Sequence, residues 1–231
     1  MTKLKISAFA ASAVMLISLC GCGQDAANGE AGTTAPAAAN SASAENSAAE
    51  TAAADGNSFI ITLYPKYAPI TCENFEKLVT DGFYDGLTFH RVVDDFMAQG
   101  GDPEGTGMGG SDKTIKGEFS NNGVKNDLSH KRGVISMARN GYDMDSASSQ
   151  FFICYTDCSQ WLDGDYAAFG EVTEGMEVVD DFLKVERVVG SDGAQSSPTT
   201  PIVMDKVVMI EDDADGNPRV QVTMQDFLPK G

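Results

Sequence analysis

Thr88-Phe89-His90-Arg91-Val92-Val93-Asp94-Asp95-Phe96-Met97-Ala98-Gln99-Gly100-Gly101-Asp102 is the stretch on which the fold turns. It holds two short β-rich runs, Thr88–Val93 and Phe96–Gln99, with acidic residues between them and glycines after them. Similar runs follow at Gly133–Ala138, Gln150–Tyr155 and Ala168–Val172, and two more, Ile202–Ile210 and Arg219–Met224, flank the turn-rich stretch Asp212–Pro218. Upstream, Phe59–Tyr64 is β-rich and is stopped by Pro65. Helical periodicity occurs twice. Pro69 and Thr71 open one helix, with Phe75, Leu78 and Val79 on a shared face and Gly82 as its stop. A second, around Gly175–Val185, places Met176, Val179, Phe182 and Leu183 on one side. Many short strands, Gly-rich turns and only two helices predict a mainly-β fold, a closed barrel or a sandwich.

Towards the N-terminus the composition changes. Residues 22–57 are mostly Ala, Ser, Thr, Asn, Gly and Glu with almost no large apolar side chain, too little to offset chain entropy, and read as a disordered tether. About 35 residues of flexible coil span roughly 30–35 Å. Before it, Lys3 and Lys5 precede the apolar run Ile6–Leu19, the pattern of a signal peptide over residues 1–21. Leu19-Cys20-Gly21-Cys22 resembles the bacterial lipoprotein cleavage box, with Cys22 as the acylated first residue. The expected location is therefore extracytoplasmic, on a lipid anchor in the bacterial cell membrane. The folded region is residues 58–231, with a C-terminal extension from about residue 211.

The net charge of −18 becomes −20 once the two lysines of residues 1–21 are removed. Such a chain is repelled by phosphate backbones, which argues against nucleic-acid binding. Cys72, Cys154 and Cys158 are an odd set, so at least one thiol is unpaired within the chain. Common catalytic signatures fail. Gly105–Gly110 matches G-x-G-x-x-G without a following helix, and Glu211-x-Asp213-x-Asp215-Gly216 begins like a calcium loop but has Val222 at its twelfth position. No metal or cofactor is expected. On periodicity alone, Phe96, Met97 and Phe152 read as ordinary core.

Four blocks, in order, change that reading: Phe89–Asp102, Gly133–Ala138, Ser149–Ile153, and Trp161-Leu162-Asp163-Gly164 with Phe169-Gly170. Together they strongly resemble the cyclophilin family of peptidyl-prolyl cis-trans isomerases over about Ser58–Ile210. The resemblance implies a closed eight-stranded β-barrel capped by two α-helices. It implies isomerase activity on Xaa-Pro polypeptides, by a monomer. It also implies Arg91 as the catalytic arginine and Gln99 as the glutamine that orients it. Phe96, Met97, Phe152 and Leu162 match the proline pocket. Ala138, Arg139 and Gln150 fall where the residue before proline is gripped, and Trp161 and Tyr166 match its edge.

Three positions depart from the family pattern. Tyr166 stands where many members have His, and Arg139 stands beside Ala138 where Asn is commoner. The strand that usually precedes Phe59–Tyr64 is missing, so the first strand is degenerate or the run Arg219–Met224 covers the exposed edge. The competing functional reading is a chaperone or adhesion module that binds Pro-containing segments, with turnover incidental. Exported proteins in the course of folding are the expected substrates.

Overall fold

Ser58–Leu63 (β1) is buried at all six positions, so this strand needs a covering layer on each face. The computed structural model describes residues 56–228 and shows how both are supplied. After β1 come α1 (Pro69–Thr80), β2 (Thr88–Val93), β3 (Met97–Asp102), β4 (Val134–Met137) and β5 (Phe151–Cys154). Then follow a short α2 (Ser159–Leu162), β6 (Ala168–Glu174), α3 (Met176–Asp181), the hairpin β7 (Arg187–Val189) and β8 (Gln195–Pro198), β9 (Met204–Ile210) and β10 (Arg219–Met224). Eight strands form one sheet in the order β2-β3-β5-β4-β6-β1-β10-β9, and β7-β8 stands apart as a two-stranded ribbon. Every pairing is antiparallel.

The expected closed barrel is not what forms; the sheet is an open half-barrel. Its end strands β2 and β9 share no ladder; the seam between them has one isolated bridge, from Thr88 to Val203, the residue before β9. Around that bridge, Phe89 N–H donates to Ile202 C=O and Met204 N–H donates to Leu87 C=O. The chain before Thr88 forms the Tyr84–Leu87 turn, where Leu87 N–H donates to Tyr84 C=O, and meets β9 through single bonds: Gly86 N–H donates to Met204 C=O, and Asp85 Oδ1 accepts from Val207 N–H. These bonds stitch the seam at a corner, and no ladder continues from them. The helix count also differs, because the four-residue α2 stands between the two expected helices.

On the question of the β1 edge, β10 pairs antiparallel with β1 from Ser58↔Thr223 to Thr62↔Arg219. The C-terminal run therefore sits between β1 and β9 in the sheet.

The main core lies between the sheet and α1 with α3. Phe75 of α1 contacts the rings of Phe151 and Phe169 at 5.4 and 5.2 Å between centroids, and Phe89 meets Phe151 and Phe182. The N-terminus of α1 has no side-chain cap of its own. Buried Glu118, distant in sequence, accepts hydrogen bonds from Ile70 N–H, Thr71 N–H and the Thr71 hydroxyl. Its carboxylate thus satisfies donors that a helix start leaves unpaired and lies at the positive end of the helix dipole.

All three cysteines of the described residues are unbridged and buried. Burial pushes the Cys72 thiol up to about 12, which leaves it inert near neutral pH.

Candidate active site

The face of the sheet turned away from the main core carries a second, smaller cluster: Met97, Phe152, Cys154, Cys158 and Leu162, flanked by Val93, Phe96, Ala138 and Tyr166. Strand alternation explains half of it. Along β5, Phe151 and Ile153 enter the main core while Phe152 and Cys154 point to the other face.

Strict alternation along β2 would put Arg91 on the same side as Phe89, in the core. A β-bulge prevents this. Phe89 pairs with Gly100 and Arg91 with Gln99, so the register shifts across His90 and parity is reversed. Arg91, Gln99, Phe152 and Ser136 then stand side by side across β2, β3, β5 and β4. The next rung is Val93, Met97 and Cys154. The three-residue β2–β3 turn holds Asp95 at φ 55°, a left-handed conformation that Asp tolerates better than most residues, and delivers Phe96 beside the row.

Polar contacts lock the row. Gln99 Oε1 accepts a hydrogen bond from Arg91 Nη1 at 3.3 Å, and Gln99 Nε2 donates to Gln150 Oε1 at 2.8 Å. Gln150 Nε2 in turn donates to Gly109 C=O at 2.8 Å. Beneath Phe152, the ring of His130 stacks at 17° between planes. One imidazole nitrogen of His130 meets Asp163 at 2.7 Å and the other meets the Ser136 hydroxyl at 2.9 Å. Burial pushes His130 below the usual histidine range despite Asp163, so its ring is a neutral brace at physiological pH.

Sequence reasoning missed one partner. Arg91 Nε donates to Asp192 Oδ2 at 2.6 Å from the turn of the β7–β8 hairpin. Asp192 Oδ1 accepts from Ala194 N–H and from the Ser196 hydroxyl. Burial alone would raise this carboxyl, but hydrogen bonds from Arg91, Ser196 and Ala194 outweigh it and hold it below the ordinary carboxylate range. Only a local Gly-Ser-Asp-Gly turn pattern marks Asp192 in sequence, and that pattern says nothing of Arg91.

A cavity of about 310 Å³ opens on this arrangement, lined by Arg91, Phe96, Met97, Gln99, Ala138, Arg139, Phe152, Leu162 and Tyr166. Of the remaining sequence-predicted residues, Gln150 stands behind Gln99, and its C=O accepts a hydrogen bond from Ala138 N–H. Trp161 on α2 is 65% exposed and lies outside the cavity wall. Cys22 lies outside the described residues. Among the described residues, no cluster of three or more His, Cys, Asp or Glu is arranged to hold a metal ion.

Residues 49–209 match the family described as cyclophilin type peptidyl-prolyl cis-trans isomerase. The chain belongs to the cyclophilin family. This cyclophilin is 46% identical over 141 residues to peptidyl-prolyl cis-trans isomerase B of Bacillus subtilis, covering 59% of its own chain and 94% of the relative. It is 48% identical over 122 residues to a Helicobacter pylori peptidyl-prolyl cis-trans isomerase, covering 52% and 71% respectively. Among solved structures it is similar to a Cryptosporidium parvum cyclophilin type isomerase crystallised in the presence of the dipeptide Ala-Pro. There the TM-score is 0.57 at 29% identity, over 66% of this chain and 92% of that one. The protein is a peptidyl-prolyl cis-trans isomerase.

Proposed function

We propose that this cyclophilin isomerises Xaa-Pro bonds of polypeptides folding outside the cytoplasmic membrane, with Arg91 as its catalytic residue. One observation carries the assignment of Arg91: the bulge at His90 turns its guanidinium out of the core and into a wall shared with an apolar cup. Xaa-Pro rotation is slow because amide resonance sets a barrier of roughly 18–20 kcal/mol. Nothing is cleaved, so the site has only to bind the twisted amide better than either planar form. As the C–N bond turns, the proline nitrogen pyramidalises and its lone pair becomes basic. A fixed cationic donor aimed at that nitrogen favours the twisted state. Arginine suits this role because it stays charged and presents a rigid fork of donors.

In this reading Phe96, Met97, Phe152 and Leu162 hold the proline ring. Ala138, Arg139 and Gln150 hold the residue before it, with Trp161 and Tyr166 at the margin. Gln99 takes one edge of the guanidinium and Asp192 its Nε, which leaves the outer N–H groups for substrate. Asp192 is thus a positioning residue. Asp192→Asn is expected to lower kcat/KM about tenfold, the size of one charge-assisted hydrogen bond, mostly through kcat.

Asp192 also sets the expected acid limb. A group with a depressed pKa keeps its ion pair above that pKa and loses it as pH falls through it. The wild type should hold its rate through neutrality and lose it only below the ordinary carboxylate range, whereas Asp192→Asn should lack that limb. Burial pushes both His90 and His130 down, so neither gains charge near neutrality. Rate profiles from pH 3 to 8 on stable protein test this, and superimposable profiles would refute the role of Asp192.

The extracytoplasmic setting rests on the signal-like residues 1–21, Cys22 and the polar tether. The expected outcome is that the full chain, expressed in a bacterial host, partitions with membranes and incorporates labelled palmitate. Cys22→Ser should do neither, while its soluble form still accelerates exchange of an Ala-Pro peptide. Unlabelled wild type found in the cytosol would overturn the anchor.

A further inference from the structure

Five arginines fall within the described residues: Arg91, Arg132, Arg139, Arg187 and Arg219. Four face carboxylates: Arg91 faces Asp192, Arg132 faces Asp180, Arg187 faces Asp94, and Arg219 faces Glu174. Arg139 forms no ion pair among the described residues, in a chain with 34 acidic residues and 16 basic ones. It is nonetheless fixed in place. Its Nε donates to Asp165 C=O at 2.8 Å and its Nη1 to Asn140 C=O at 2.9 Å. Its guanidinium carbon lies 4.8 Å from the centre of the Tyr166 ring and 5.1 Å from that of Phe119. Carbonyls and ring faces orient a guanidinium without cancelling its charge.

Arg139 is also part of the cavity wall, and no carboxylate of the described residues lines that wall. The charge of Arg91 is offset by Asp192 in direct contact, so the uncompensated charge at the cavity is that of Arg139. The acidity of the whole chain does not erase it. Exposed charges beyond about 8 Å are largely screened at physiological salt, so a nearby side chain responds to Arg139 before it responds to distant acids.

We propose that Arg139 selects Xaa-Pro segments in which the residue before proline is acidic, Glu-Pro or Asp-Pro. The inference rests on the isomerase reading, and on the assignment of Ala138 and Arg139 to the residue preceding proline. Arg139 is a specificity determinant, acting on binding of both isomers and of the twisted state alike. Its effect belongs mainly in KM, since an interaction made equally in all three states does not change kcat.

The test uses the full chain and four peptides that differ only before proline: Glu-Pro, Gln-Pro, Lys-Pro and Ala-Pro. Catalysed cis/trans exchange is measured by NMR for wild type, Arg139→Gln and Arg139→Lys. The quantity read is the ratio of kcat/KM for Glu-Pro to that for Lys-Pro within each protein, which cancels differences in folded fraction. At physiological salt the wild type is expected to favour Glu-Pro about tenfold, since attraction and repulsion at a partly exposed charge each contribute up to a few-fold. The ratio should shrink as salt is raised towards about 1 M, persist in Arg139→Lys, and fall to within about twofold in Arg139→Gln. A wild-type ratio near one, with Ala-Pro still turned over, would overturn the proposal and leave the isomerase reading standing. A ratio unchanged in Arg139→Gln would overturn it as well. Failure to catalyse any of the four peptides would instead sink the underlying reading.

Discussion

Arg91→Ala is expected to lower kcat/KM for an Xaa-Pro peptide by about 10²–10³-fold, the size seen when one preorganised donor to a developing lone pair or charge is removed. The loss should fall on kcat, because in the proposed site Phe96, Met97, Phe152 and Leu162 would hold the proline ring independently of the guanidinium. Arg91→Lys should recover little of it. Lysine keeps the positive charge but has one ammonium where the site uses a fork, with Nη1 on Gln99 and Nε on Asp192. Stability should change far less than activity. Arg91 and Asp192 form a pair with side chains 31% and 21% exposed, and partly solvated ion pairs contribute at most about 1 kcal/mol. The experiment is exchange of the peptide at equilibrium beside a urea melt of each protein. Equal exchange rates in wild type and Arg91→Ala would end the mechanism. A lost rate with an intact capacity to bind Pro-containing segments would separate turnover from any holding function.

Why Arg91 and most of its neighbours can be picked out in the sequence, while the way they meet cannot, has a physical answer. Arg91, Gln99 and Phe152 come from three strands, and each strand announces itself through local composition. Their meeting depends on the bulge at His90, and nothing in Phe89-His90-Arg91-Val92-Val93 announces a bulge. Read with a period of two, that run puts Phe89, Arg91 and Val93 together, whereas the structure splits Phe89 from the other two. Asp192 is invisible for a different reason, since it lies 101 residues from Arg91 and reaches it only because the β7–β8 hairpin projects beside β2.

The failure of barrel closure is of a third kind. Strand count suggests a full circuit of eight, but closure depends on whether the two end strands can extend a ladder past their first contact. Here the seam between β2 and β9 has one isolated bridge and no ladder grows from it, which no local pattern in either strand records. Arg139 shows the reverse case. Its identity stands in the sequence, yet its lack of a carboxylate partner among the described residues emerges only when the acids there have been placed.

The largest structural effect is expected from the strand that the family match leaves out. Residues 49–209 carry the resemblance, and β10 (Arg219–Met224) begins beyond it. It nevertheless stands inside the sheet, paired on one edge with β1 and on the other with β9. Val220, Val222 and Met224 alternate into the core, and Phe227 follows them and packs against Phe182 at 5.3 Å between ring centroids. Fully burying a side chain of this kind contributes about 1.5–3 kcal/mol, so the four together contribute roughly 6–12 kcal/mol as an upper figure. That is of the order of the whole stability of a domain, about 5–15 kcal/mol. A chain ended at residue 211 should therefore fail to fold cooperatively, with the edge of β1 left open to pairing between molecules. Val222→Asp should reproduce much of the loss, because it places an unpaired carboxylate in the core. Gln221→Asp, one residue away on the outward face, should change stability by less than about 1 kcal/mol. Thermal unfolding of the three proteins decides it. A cooperative melt near the wild-type midpoint for the shortened chain would mean that β6 and the helices hold β1 in place without its other neighbour.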